Sequence, residues 1–590
     1  MLKSFRRMFV IYKGYRLRLV ISQVLLLISA AASITLATLN QQLVNEGMLA
    51  GDPMVIVQTG LWMVALAVVA GLTMAGTAAY AVFFAQGTAY LIRSELYRKI
   101  QTFSFANFDQ FRTGNLLTRL SADVNYIANA VLYTVMLLLY APFMVIVAFA
   151  LAMRDTPGLV WVLVVVSIVV LAVIGLIVPQ VFRAYEERQK RLDELNNTLQ
   201  ENLAGVRVVK AFVREKLEVE RFAARSNAMR EPAFSAAFRV AALSPILTAT
   251  AQISTALTIA IGGQQVLTNA GLDVGQLVTF MQYLSLVVAP LAMMAIVVPF
   301  ILRGDASARR VFEVVDAPSA VNDAPNAGDV DPATIQGRLA FENVTFSFRR
   351  PDGAYDPPAL KNISLTVEPG QRIGILGATG AGKTALVNLV PRFYDATQGR
   401  VTIDGIDVRA IKQASLRQLV GVALQEAVLF QGDIRFNLKF ANPGASDETM
   451  TAAAQAADAY GFVTGLPQTW DAPVSRRGYN FSGGQRQRLA ISRTLTAQPR
   501  ILILDDSTSA LDVATESRVQ AAIPGFTNNV TTIYIAQCIS AVIDLDLIVL
   551  MENGAIVATG THEELLAGNA LYQEIYASQL GGVAVEEVQS

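Results

Sequence analysis

The chain has one cysteine, Cys538, which excludes an internal disulfide and any cysteine-based metal centre. It has one histidine, His562, within Gly560-Thr561-His562-Glu563-Glu564, a turn followed by a helix start. That context suits a helix N-terminal residue rather than a catalytic one. No charge of either sign is in excess: Lys+Arg and Asp+Glu are both 47, for a formal net charge of zero. No basic stripe with interleaved aromatics is present, so a nucleic-acid partner is not expected. The N-terminus lacks a secretory pattern, because Lys3, Arg6, Arg7, Lys13, Arg16 and Arg18 sit among apolar residues without a cleavage site. Met1 to Arg18 reads instead as an amphipathic segment on a membrane surface, with a plain cytosolic leader as the alternative.

Apolar residues are what the chain has in abundance. Of its 590 residues 53% are hydrophobic and the mean hydropathy is +0.43, too apolar for an ordinary soluble enzyme. The excess lies before about residue 305, in runs near 19–41, 56–86, 129–153, 159–182, 240–268 and 273–302. Each is long enough for a bilayer core, which takes roughly 20 residues. Basic residues alternate between the connections. Arg93, Arg98, Lys99, Arg112 and Arg119 lie between the second and third runs, and Arg183, Arg188, Lys190, Arg191, Arg207, Lys210, Arg214 and Lys216 between the fourth and fifth. The segments around Glu46 and Asp273 carry none, and the one around Pro157 only Arg154. Positive charge stays on the cytoplasmic side, so both termini and everything after residue 305 are expected there, in the cell membrane. The two basic connections are long and helix-compatible, with Gly205 and Pro232 the main breakers in the second.

From Asp316 to Gln336 the composition shifts to Asp, Ala, Pro, Asn and Gly, which reads as a linker. Strand-like runs follow. Arg372 to Leu376 precedes Gly377-Ala378-Thr379-Gly380-Ala381-Gly382-Lys383-Thr384, and Ala385 to Val390 is helix-compatible. Strand, glycine-rich loop and helix is the context in which this pattern cradles phosphates. Backbone N–H groups turn onto phosphate oxygens and the helix N-terminus adds its positive dipole end. Lys383 reaches the β- and γ-phosphates, and the Thr384 hydroxyl ligates Mg²⁺. Downstream, Ile501-Leu502-Ile503-Leu504-Asp505 is an apolar strand ending in an acid, placed to hold the same ion, and Asp506 follows where a water-orienting carboxylate is useful.

Phe481-Ser482-Gly483-Gly484-Gln485-Arg486-Gln487-Arg488, together with the P-loop, Gln425 and the Asp505 strand, resembles the nucleotide-binding domain of ABC transporters. The six apolar runs with two long excursions resemble the exporter-type membrane domain of that family. The resemblance implies a six-span α-helical membrane domain over 1–315, a linker over 316–336, an α/β P-loop domain over 337–580 and a frayed tail over 581–590. It implies ATP with Mg²⁺, Phe348 stacking on adenine, and Gln425 sensing the ion and the membrane domain. Ser482, Gly483, Gly484 and Gln485 match the signature that closes on nucleotide held by the opposite subunit. Ser509-Ala510-Leu511-Asp512 matches the D-loop between the two sites. The turns near Phe108–Gly114 and Gly205–Phe212 match the coupling helices.

Three positions depart from the family pattern. Asp506 stands where the family has its catalytic Glu, one carbon shorter by roughly 1.5 Å. Gln537 stands where it has the switch His. Arg476, in Ser475-Arg476-Arg477-Gly478, replaces an acid. Loss of Glu and His beside an intact P-loop and signature resembles the degenerate half of a heterodimeric exporter. The expected partner is a second, non-identical half with both residues. The expected substrate is a hydrophobic or amphipathic small molecule, with aromatics such as Phe83, Phe84, Tyr133, Tyr140, Phe280 and Tyr283 available to line an apolar cavity. Two alternatives stay open: an ATP-sensing regulatory subunit with negligible turnover, and a homodimeric lipid flippase.

Overall fold

The structure, a computed structural model, describes residues 15–138, 140–268, 272–350, 353–507, 511–526 and 529–580. Most of the expected surface segment at 1–18, Ser509 and Ala510 of the matched D-loop, and the 581–590 tail lie outside these residues. The chain divides into two compact units. One takes the described residues of Met1–Gln101 and Gly114–Ala317, and the other those of Thr102–Thr113 and Pro318–Ser590.

The first unit is built on six helices long and apolar enough to cross a membrane. They are α1 (Arg16–Leu49), α2 (Pro53–Gln101), α3 (Thr113–Asp155), α4 (Pro157–Ala204), α5 (Glu215–Leu267) and α6 (Val274–Asp316). At 1.5 Å per residue, the 53 residues of α5 extend about 80 Å, far beyond a bilayer core of about 30 Å. Gly205 caps the end of α4, as a helix breaker should. Pro232 does not break α5, which runs on through it and through Pro245. The packing of α4 against α5 overrides the local propensity there. The mixed charges between residues 185 and 235 resolve into pairs that tie the two helices: Arg225 to Glu194 at 3.1 Å, and Arg221 to Glu201 at 3.2 Å. Such exposed pairs contribute about 1 kcal/mol at most. Between the helices lies Val206–Ala211, with Val208, Phe212 and Val213 exposed at 60, 72 and 78%. Of the aromatics named above, Phe84, Phe280 and Tyr283 are buried in helix packing, and Tyr133 sits 4.5 Å from Phe300. Phe83 is exposed.

In the second unit, one sheet is antiparallel and one mostly parallel. β1 (Leu339–Phe346), β2 (Leu360–Val367), β4 (Gln398–Ile403) and β5 (Ile406–Asp407) form the first, in the order β2-β1-β4-β5. The second contains β3 (Arg372–Leu376), β6 (Val420–Ala423), β9 (Ile501–Asp505), β10 (Thr531–Ala536), β11 (Leu547–Glu552) and β12 (Ala555–Gly560). Its order is β12-β11-β3-β10-β9-β6, and β3, β10, β9 and β6 are mutually parallel. All five residues of β9 and all six of β10 are buried, the near-continuous apolar pattern of strands covered on both faces. A short hairpin pairs β7 (Gly432–Asp433) with β8 (Pro473–Val474). Of residues 316–336, read as a linker, Asp316 is the last residue of α6, and 318–336 form no helix or strand, yet Val321 and Ile335 are buried.

Thr102–Thr113 belongs to this second unit because of the short helix Phe105–Gln110. Phe105 stacks on Phe393 with ring centres 4.2 Å apart, and Asn107 donates to the Pro318 carbonyl. Tyr394 Oη donates to Asp109 Oδ2 at 2.7 Å.

Candidate functional site

Parallel strands end at one edge of their sheet, and ligands of open α/β sheets bind there. Four neighbouring strands deliver the predicted residues to that edge. The P-loop follows β3, Gln537 follows β10, Asp505 ends β9 with Asp506 next, and Gln425 lies just beyond β6. They surround a cavity of about 450 Å³, whose lining includes Phe348, Lys383, Thr384, Gln425, Asp505, Asp506 and Gln537.

The loop's glycines are there for stated reasons. Gly382 has φ +99°, and a Cβ on it would stand 2.7 Å from the Ala359 carbonyl oxygen. Gly380 also has positive φ, and a Cβ on Gly377 would run into the Met551 carbonyl. Only glycine meets these requirements together. The helix α7 (Lys383–Asn388) begins directly after Gly382. Lys383 Nζ folds back to the carbonyls of Gly377 and Ala378, at 2.5 and 3.1 Å. Burial pushes its ammonium below the usual lysine range, against the pull of Asp506 and Asp505. A phosphate would supply the missing counter-charge.

Thr384 Oγ1 donates to Asp505 Oδ1 at 3.0 Å. Asp505 is buried, and burial pushes its carboxyl up, with neighbouring Asp506 adding to the rise and the Thr384 bond and Lys383 opposing it. Two hard oxygen donors held 3.0 Å apart, one on a buried carboxylate, fit Mg²⁺. No cluster of three or more His, Cys, Asp or Glu suited to a metal occurs among the described residues, so the ion's other ligands would come from nucleotide, water and the Gln425 amide. Gln425 spends its Nε2 on Asp506, and an amide ligates a cation through its other atom, Oε1.

A raised Asp505 pKa has a stability consequence. Its protonated form suits the folded chain, so this group's contribution is present at low pH and is lost as pH rises through the folded value. At neutral pH the ionised carboxylate is a cost that the cation offsets. Asp505→Asn should therefore raise the melting temperature of the nucleotide-free chain at pH 7 while removing Mg²⁺-dependent nucleotide binding. Calorimetry with and without MgATP checks both.

Asp506 turns the chain sharply after β9, at φ +46°, and its N–H donates to the Ile535 carbonyl. Its carboxylate is engaged on one side twice. Gln537 Nε2 reaches Oδ2 at 2.9 Å and Gln425 Nε2 reaches the same oxygen at 3.2 Å. Both donors are fixed amides, and neither can take up a proton from an attacking water.

Phe348 lies against Phe346 and Tyr394, with ring centres 4.8 and 5.5 Å away. Tyr394 also lines the cavity. Sequence reasoning missed it, and the available signal was the aromatic pair Phe393-Tyr394 shortly after the P-loop helix. The signature residues lie elsewhere. Ser482 caps helix α8 (Gly483–Thr496) by a reciprocal bond with Gln485, and none of Ser482, Gly483, Gly484 and Gln485 lines the cavity. Asp512 caps the helix Val513–Phe526 by accepting from Thr515. Arg476 is exposed on the loop before the signature. His562 opens its helix, and its Nδ1 meets Tyr572 Oη at 2.7 Å.

Comparison with known proteins places the chain in a family. Residues 19–291 match the ABC transporter transmembrane region and residues 360–509 the ABC transporter family. The chain is 33% identical over 571 residues to the uncharacterized ABC transporter ATP-binding protein YfiB of Bacillus subtilis (strain 168), covering 96% of this chain and 97% of that one. It is 32% identical over 584 residues to the ATP-dependent lipid A-core flippase of Syntrophus aciditrophicus (strain SB), covering 98% and 94%. Its structure superposes on a bacterial Atm1-family ABC exporter with ATP bound, with a TM-score of 0.80, 26% identity and coverage of 96% and 99%. Six membrane-length helices fused to a P-loop domain with its own signature helix therefore make this chain a member of the ABC transporter family, a half-transporter with an exporter-type transmembrane domain.

Proposed function

We propose that this chain is one half of a heterodimeric ATP-driven exporter, holding a low-activity ATP site and giving its signature motif to a partner's competent site. The observation that carries this reading is the double amide grip on Asp506. A general base needs free lone pairs facing its water within about 3 Å. Here the amides of Gln425 and Gln537 together occupy one oxygen, Oδ2, of the shorter carboxylate. Lys383, the loop amides and Phe348 bind and orient ATP, and Asp505 and Thr384 hold Mg²⁺. Bound there, the ion would neutralise charge on the β- and γ-phosphates.

Two features support a second chain. Ser482–Gln485 cap a helix whose N-terminus lies outside this chain's own cavity, available to a γ-phosphate held by another P-loop. The exposed apolar residues Val208, Phe212 and Val213 suit the nucleotide domain of that other chain, as Phe105 of the first excursion suits Phe393. The proposed orientation keeps the P-loop domain and both termini in the cytoplasm. The domains proposed are those read from the sequence, 1–315, 316–336 and 337–580. ATP binding drives export by favouring the closed, outward-facing state, since a ligand of equal affinity for both states would shift neither.

The proposed cargo is hydrophobic or amphipathic, and the flippase relative favours a lipid-like one. Pull-down of the tagged chain from its native membrane should bring a different ABC half bearing Glu and His at the positions of Asp506 and Gln537. Vesicles holding the pair should move a labelled lipid or hydrophobic dye when ATP is added. Recovery of two identical copies with brisk ATPase would replace this reading by the homodimeric flippase. An assembled pair that binds ATP and moves no cargo would replace it by the regulatory subunit.

A further inference from the structure

β10 ends at Ala536 and a single 3₁₀ turn starts at Ile539. The main chain between them has left one hydrogen-bonding ladder and not yet entered another. The Gln537 carbonyl and the Ile539 N–H lie in this break. One side chain satisfies both: Gln579 Nε2 donates to the Gln537 carbonyl at 3.0 Å, and Gln579 Oε1 accepts from the Ile539 N–H at 2.8 Å. An amide is suited to this, since it carries a donor and an acceptor a fixed distance apart. The turn it grips is the one that carries Gln537 Nε2 to Asp506 in the wall of the cavity.

Gln579 sits in the last helix, Ala570–Leu580. Buried Tyr572 anchors that helix to the core, and its hydroxyl meets His562 Nδ1 at 2.7 Å. Leu571 and Ile575 line a second cavity of about 340 Å³, together with Gly377, Gln537 and Gln579. The last helix thus reaches the underside of both the P-loop entry and the switch turn.

We propose that Gln579 is a positioning residue for Gln537, through which the C-terminal helix sets how the site discriminates ATP from ADP. The proposal rests on the reading of Gln537 as the group that faces the γ-phosphate. The bond to the Gln537 carbonyl fixes where the backbone leaves β10, and so where its amide points. ADP has no γ-phosphate and does not sense the placement.

The test is equilibrium binding of MgATP and MgADP to the full-length chain in detergent or nanodiscs. Gln579→Met removes both bonds at nearly constant volume. It should weaken ATP by ~10-fold, the scale of a hydrogen bond to a charged group, with ADP within about twofold. Gln579→Glu keeps the acceptor for Ile539 but sets a carboxylate against the Gln537 carbonyl, and should show the same selective loss. Gln537→Ala should reproduce it, and combining it with Gln579→Met should add nothing, because the two residues act as a unit. Equal losses for ATP and ADP, no loss in either Gln579 variant, or additive losses in the double variant would overturn the proposal. Should Gln537→Ala leave ATP binding unchanged, the reading of the switch position falls and the proposal falls with it. Lys383→Ala, expected to weaken both nucleotides, reports separately on whether the P-loop holds them at all.

Discussion

Removing this chain's signature helix N-terminus should stop ATP turnover in the assembled transporter, whereas removing its own P-loop lysine should not. Ser482→Ala takes away the oxygen that caps α8, leaving the Gln485 N–H without its partner. Gly483→Asp goes further and sets a carboxylate where a γ-phosphate must approach. Anion and helix dipole then no longer attract, and a like charge stands in the way. Loss of a preorganised donor set of this kind costs about 10²–10³ in turnover. On the proposed reading, Lys383→Ala acts on a pocket of low activity. It should empty this chain's site of nucleotide yet lower total turnover only by about the few-fold that weaker closure of the dimer entails. Phosphate release from the purified pair, with each variant in turn, checks the asymmetry. Equal losses from the two variants would mean that this chain's pocket turns over as fast as its partner's.

The second large effect is a gain. Asp506→Glu with Gln537→His should raise hydrolysis in this chain's pocket by about 10²-fold, the low end of what a well-placed general base contributes. The added carbon restores reach, and replacing the Gln537 amide frees one lone pair on the carboxylate that Gln537 and Gln425 now share. Either change alone should do less. With Asp506→Glu alone, the longer carboxylate would still meet the amide of Gln537. With Gln537→His alone, the imidazole would face a carboxylate too short for its water. The readout is ATPase activity in a pair whose partner site has been disabled. If the double variant hydrolyses no faster, these two positions are not what limits the pocket.

The phosphate-binding half of the site was legible because its physics is local. Three positions within one six-residue loop must lack a Cβ or adopt positive φ, and that demand is written in Gly377, Gly380 and Gly382. Six spans were legible because a bilayer imposes a length and a polarity on contiguous residues. The limits of local reasoning show at Pro232, which a propensity argument treats as a break and α5 passes through, held by its partner helix. Tyr394 and Gln579 were not legible for a different reason. Their partners stand 285 and about 40 positions away along the chain, in residue types common on any surface. Only the fold brings a tyrosine on the nucleotide cavity to Asp109, or a glutamine from the last helix to the turn at 537–539.

Scarcity of sulfur has a practical corollary. Cys538 is exposed and stands between Gln537 and Ile539, the two residues whose backbone Gln579 grips. A maleimide fluorophore or nitroxide added to the unaltered polypeptide would attach at that thiol alone. The single labelling handle thus sits on the turn beside the proposed switch position, and spectroscopy of its response to nucleotide can begin without first engineering a cysteine-free background.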